Sequence, residues 1–163
     1  MVTRFWRTLP FAVVVLCSMA QAQQPTALAT AQRITKSGTV AAVAGPTENF
    51  TGRVRVDPLT AVTESINAST AYVTFEPGAR SAWHTHPQGQ YLVVTAGAGL
   101  TQEWGKPPQQ LSAGDVVWCP PGVKHWHGAA PTTALTHIAI TGNQGGRSVQ
   151  WEEKVSDEQY QSR

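Results

Sequence analysis

The chain has 163 residues, 12 basic against 10 acidic side chains, and 41% hydrophobic residues. That length fits one domain of ordinary size with room for a real core. No run of five or more basic residues occurs, which argues against nucleic acid or an anionic membrane as a partner.

The first 22 residues read as a signal segment. Arg4 and Arg7 form a basic start, "FAVVVLC" is an apolar run too short to span a bilayer, and Ala20-Gln21-Ala22 is a small-x-small cleavage site. Export to a periplasm or the medium is therefore expected, with no membrane attachment once the signal is removed. Its loss takes two arginines and no acid, leaving ten basic residues against ten acidic. Cys17 leaves too, so Cys119 has no partner for an intrachain disulfide and reads as a small buried hydrophobe.

Residues 23–46 are rich in Ala, Thr, Gln and Gly without an aromatic residue, and read as a flexible leader before a domain over 47–163. From Phe50 onward short alternating or β-branched runs follow one another: "RVRVD" (53–57), "AYVTFE" (71–76), "QYLVVT" (90–95), "LTQEW" (100–104), "DVVW" (115–118), "ALTHIAI" (134–140) and "SVQW" (148–151). Turn residues separate them, at Asp57-Pro58, Glu76-Pro77-Gly78, Gly97-Ala98-Gly99, Lys106-Pro107-Pro108, Pro120-Pro121-Gly122 and Gly142-Asn143. The pattern predicts an all-β fold, an antiparallel sandwich or barrel. Ser156, followed by Asp157 and Glu158, predicts the cap of one short C-terminal helix.

All five histidines fall in the strand-like part. Residues i and i+2 of a strand share a face, so His84 and His86 project together, and His125 and His127 repeat the arrangement. His137 lies mid-strand with Leu135 and Ala139 on its face. Neutral imidazole is the commonest metal donor, and two such pairs in one small domain point to a divalent metal site.

The spacing resembles the two motifs of the cupins. Gly78, His84, His86, Gln90 and Gly97 match the first motif, with Gln90 where Glu is usual. Gly114, Pro120, Gly122 and His125 match the second, with Ala129 in place of its terminal Asn. The runs "TFEPGARSAWHTHPQGQYLVVTAGAG", "GDVVWCPPGVKHWHGAAPTTALTHIAI" and "VSDEQY" further resemble the small single-domain bacterial cupins that include manganese-dependent hydroxynitrile lyases. This resemblance implies a cupin jelly-roll barrel with a metal ringed by His84, His86, Gln90 and His125. Mn is the first expectation for that metal, with Fe, Zn, Ni or Co also suited to three imidazoles and an amide oxygen. It implies reversible cleavage of a mandelonitrile-like cyanohydrin to an aldehyde and hydrogen cyanide. A neutral Gln ligand would leave nearly the full charge on the cation and make it a stronger Lewis acid than a Glu ligand would.

His127 and His137 are the candidates for proton transfer and cyanide handling. Strand parity puts Ala71, Val73 and Phe75 on one inward face and Thr141 on that of His137, a pocket for a small-molecule substrate. Trp83, Trp118 and Trp126 are expected to pack the barrel or a subunit interface, and Arg80 to form a surface ion pair. A homo-oligomer, dimer or tetramer, is expected. Two rival functions share the motifs: a quercetinase-like cupin dioxygenase, which usually keeps the Glu, and a non-catalytic module that binds metal or a small ligand.

Overall fold

The computed structural model describes residues 31–162, so the expected signal segment and the first part of the leader, residues 23–30, lie outside the described residues. Every element below lies in one compact unit, Thr35–Arg163.

Among the described residues twelve antiparallel strands form two curved layers. One layer contains β1 (Val43–Ala44), β3 (Val54–Thr60), β4 (Ala68–Phe75), β11 (Leu135–Gly142), the first half of β7 (Gln90–Glu103) and β9 (Val116–Cys119). The other contains β2 (Phe50–Thr51), β5 (Arg80–Ser81), β6 (His84–Thr85), β10 (His125–Ala129), the second half of β7, β8 (Gln109–Ser112) and β12 (Gln150–Trp151). Between the layers lies a core of Val54, Val73, Phe75, Leu92, Val94, Leu111, Leu135 and Ala139. This is the antiparallel barrel that the alternating runs predict, in the jelly-roll form that the cupin resemblance implies.

Three expectations about the strands are revised. The chain does not turn at Gly97-Ala98-Gly99. The runs at 90–95 and 100–104 form one 14-residue strand, which pairs with β11 and β9 up to Gly97 and with β10 and β8 beyond it. The glycines let this strand cross from one sheet to the other. A Cβ at Gly97 would lie 1.8 Å from the carbonyl oxygen of Ala134, and one at Gly99 would lie 2.3 Å from that of Gly128. Asp57-Pro58 is likewise inside β3, where the missing N–H of Pro58 coincides with a slip in the register to β4 before Thr60. Val43 and Ala44, in the expected leader, already pair with Val56 and Arg55.

The C-terminal helix α1 (Asp157–Gln161) begins at Ser156 with a full capping box shared with Gln159. It covers the outer face of the second layer, where Trp83, Trp126, Val155 and Tyr160 form a separate buried cluster. Arg80 is buried, not on the surface as expected. Its guanidinium donates to the carbonyl of Val155 at 3.1 Å and to Asp157 Oδ1 at 2.6 Å, and lies 4.6 Å over the Tyr160 ring. The arginine clamps the tail onto β5. Cys119 is free and buried, and burial pushes its thiol up to about 12, as suits a packing residue.

Gly97 should tolerate no side chain. Its φ of +78° and the contact with Ala134 would strain any L-residue. Gly97→Ala is expected to cost on the order of 3 kcal/mol, read as a fall in thermal midpoint, whereas Gly105→Ala, which meets nothing within 4 Å despite a similar φ, should cost much less. Equal losses in the two variants would refute the close-approach argument.

Candidate metal centre

β6 and β10 run antiparallel with His84 directly opposite His125, their ring centroids 4.3 Å apart. Alternation along β10 returns His127 to the same inward face, and His127 lies 5.3 Å from His84 by ring centroids. His86 follows β6 immediately, its ring 5.0 Å from His84 and 5.3 Å from His125. Gln90 opens β7, just past a turn that requires the positive φ of Gly89. All five histidines and Gln90 are buried.

The hydrogen bonds determine which atoms remain free. His84 Nδ1 faces the carbonyl of Ala82 at 2.9 Å, His125 Nδ1 that of Val123 at 2.9 Å, and His86 Nδ1 that of Ser148 at 2.6 Å. A carbonyl only accepts, so each Nδ1 carries the proton and each Nε2 keeps a lone pair. Gln90 Nε2 donates to Thr141 Oγ1 at 2.9 Å, which turns Oε1 away from Thr141. Gln90 Oε1, His86 Nε2 and His125 Nε2 are then buried without any hydrogen-bond partner. Polar atoms stranded in this way cost about 1–3 kcal/mol each unless something binds them. His84, His125 and His127 each place a ring nitrogen within 4.8 Å of the others, so three buried histidines can hold a metal ion. The donor set fits a divalent cation.

Burial also keeps these rings neutral. It pushes His84 and His127 well below their ordinary pKa, helped by neighbouring imidazoles, and lowers His125 and His137 to about 4. His86 is lowered by burial as well. Neutral imidazole is the form that binds metal or accepts a proton.

His137, on β11, reaches across the barrel from the opposite layer. Its Nε2 lies 3.2 Å from His127 Nδ1, and its Nδ1 has no partner. Phe75 packs against both rings, at 5.6 Å from His127 and 5.7 Å from His137. Of the other expected pocket residues, Val73 pairs with His137, Ala71 pairs with Ala139, and Thr141 pairs with Gln90 and accepts its amide. One grouping differs from expectation: His127 stands with His84 and His125 at ligand spacing, where the motif supplies His86 and Gln90.

Three neighbours of the site are not foreseen by the histidine pattern. Trp151 pairs with His84 and packs 4.8 Å from its ring, with Phe50 5.4 Å further out. The Ser148 carbonyl holds His86 from 62 residues away. Asn143, expected only as a turn residue, fixes that loop. Its Oδ1 accepts from Gly146 N, its Nδ2 donates to Ser148 Oγ, and its backbone pairs with Asn67. The sequence traces of these contacts are the short strand-like run 148–151 and a turn-forming Asn, neither of which says what it meets.

Residues 71–141 match the cupin domain family. The chain is 54% identical over 127 residues to the (R)-mandelonitrile lyase of Granulicella tundricola, covering 78% of this chain and 97% of that enzyme. A crystal structure of a cupin-like protein from Thermotoga maritima is 43% identical, with a TM-score of 0.69 over 79% of this chain and 95% of the other. A cupin-2 domain from Rhodospirillum rubrum shares the fold at 18% identity, with a TM-score of 0.61 over 74% of this chain and 80% of the other. Sharing more than half its aligned residues with nearly the whole of one such protein, and its fold with the others, the chain belongs to the cupin family.

Proposed function

We propose that the protein is a metal-dependent lyase that reversibly splits a mandelonitrile-like cyanohydrin into an aldehyde and hydrogen cyanide. The likeness to the Granulicella (R)-mandelonitrile lyase over 97% of that enzyme carries this reading. The buried donor set supports it. In this proposal His84, His86, Gln90 and His125 hold the cation, manganese before Fe, Co, Ni or Zn. When bound, such a cation supplies Lewis acidity that makes a nearby hydroxyl easier to deprotonate.

The remaining steps belong to the chain. His127 uses Nδ1 toward His137, so Nε2 is its free base atom. Nε2 takes the cyanohydrin hydroxyl proton as the oxygen's electrons form the carbonyl. The C–CN bond breaks with its electron pair going to cyanide, and the His127 imidazolium returns the proton to give hydrogen cyanide. His137 Nε2 accepts from His127 Nδ1–H throughout, and this bond strengthens when His127 is charged. Phe75, with Trp151 and Phe50 beyond His84, offers an apolar aromatic wall suited to an aryl group. The basic start, short apolar run and Ala20-Gln21-Ala22 support export of the enzyme.

Aldehyde–cyanide condensation and metal content, measured together on the manganese-loaded protein and its variants, test the assignment. His127→Ala should keep its metal and lose about 10²–10⁴-fold in turnover, with His137→Ala showing a smaller loss in the same direction. Loss of metal in His127→Ala would make it a ligand instead, and full activity with full metal would remove it from the mechanism. Oxygen uptake with a flavonol and no condensation would move the protein to the dioxygenases.

The metal-free protein should weaken in mild acid. His137 titrates near 4 when folded and near 6.5 when unfolded, so its stabilising contribution is complete above about pH 6.5 and falls as pH drops toward 4. At pH 5 the loss from this residue is on the order of 2 kcal/mol. A thermal midpoint unchanged between pH 7 and pH 5 would contradict the neutral buried state.

A further inference from the structure

The donor set assigned to the cation uses His84, His86 and His125 and leaves His127 over, yet His127 is furnished as a ligand is. Each of the first three donates its Nδ1–H to a backbone carbonyl, at 2.9, 2.6 and 2.9 Å. His127 directs its Nδ1 to His137 Nε2 at 3.2 Å, across the barrel on β11. An outer partner of this kind fixes the ring and leaves Nε2 with its lone pair, as metal-binding imidazoles require. The spacing agrees. Among the described residues, His84, His125 and His127 bring ring nitrogens within 4.8 Å of one another, and His86 falls outside that group.

Two donor sets therefore overlap. Both contain His84 and His125, which face each other across β6 and β10 with ring centroids 4.3 Å apart. One set adds His86 Nε2 and Gln90 Oε1, both buried without a partner. The other adds His127, whose ring stands 5.3 Å from that of His84 and 6.1 Å from that of His125. The sets differ in chemistry. The first includes an amide oxygen among four donors, which suits a cation that accepts oxygen readily, as manganese does. The second is all imidazole nitrogen, with the Phe75 ring 5.6 Å from His127. Three histidines with a fourth position left for water is a set that tetrahedral zinc favours.

We propose that His84, His125 and His127 form a second, zinc-selective site that overlaps the manganese set and excludes manganese when filled. Because two ligands are shared, the protein holds one ion at a time. The ion present decides what His127 does. With the cation on His86 and Gln90, His127 Nε2 is free to take a proton. With zinc on the nitrogen set that lone pair is engaged, and Gln90 and His86 are released. Zinc then inhibits by occupying the base, a consequence that rests on the proposed lyase reading, whereas the site itself does not.

Metal affinities of the metal-free protein, measured by competition with a chromophoric chelator, separate the two sets without any turnover. The native chain should bind one manganese or one zinc ion and never both. Gln90→Ala should lose about 100-fold in manganese affinity and hold zinc within about 3-fold. His127→Ala should do the reverse. His137→Ala removes only the outer partner of His127, and should weaken zinc about 10–100-fold while leaving manganese unchanged. The ion that each variant retains shows that its fold has survived. Zinc falling with manganese in Gln90→Ala, zinc unaffected in His127→Ala, or two ions bound together would each overturn the proposal. The zinc-loaded native protein should also fail to condense aldehyde with cyanide. If it condenses them while the titrations hold, the zinc site stands and the base role of His127 is lost.

Discussion

The structure depends on one strand being able to change sheets. Gln90 and Glu103 are the two ends of β7, about 43 Å apart if the strand were straight. Glu103 pairs with His125, while Gln90 lies beside His86, whose ring is 5.3 Å from that of His125. Both ends can border one centre only because the strand folds over at Gly97–Gly99, where backbones approach too closely for any side chain. The corner closes the barrel and brings the second motif to the first.

Within that enclosure the site is held by main-chain oxygens. Carbonyls of Ala82, Val123 and Ser148 hold three imidazoles in one tautomer, and Thr141 does the same for an amide. No carboxylate takes part in these four contacts. A barrel interior holding several protonatable rings close together can keep them only as neutral groups, and the depressed pKa values of His125 and His137 express that. The free lone pairs are the cost of this arrangement, and a cation is the natural group to satisfy them.

How much of this was legible in the sequence follows from the range of each contact. Strand parity is local, so His-x-His, the inward set on β4 and the capping box at Ser156 could be read directly. The histidine cluster was legible because cupin-like spacing encodes the strand pairing that brings 84 to 125. Contacts without such a pattern were not. Gly97-Ala98-Gly99 reads as a turn because glycine signals flexibility and close approach alike, and only the partner backbones of Ala134 and Gly128 distinguish them. Arg80 reads as a surface residue because its carbonyl partner and its acid lie more than seventy residues away. Trp151, Ser148 and Asn143 support the site from a segment that reads only as a turn followed by a short strand, with nothing to say what that strand meets.

The same strands that aim ligands inward carry aromatic and β-branched residues outward, since period two gives every inward residue an outward neighbour. On β10 the outward neighbour between His125 and His127 is Trp126, and the tail buries it. On β7 and β9 the outward neighbours of Gln90 and Cys119 are Tyr91 and Trp118, and the chain from Thr35 onward leaves them open. Residues that rigidify a buried polar site need packing behind them, because a strand free on its far face can flex and carry its ligand with it. The tail provides that backing for the histidines of β10. Gln90 is positioned instead by its one hydrogen bond to Thr141 and by the turn packed beneath Trp118.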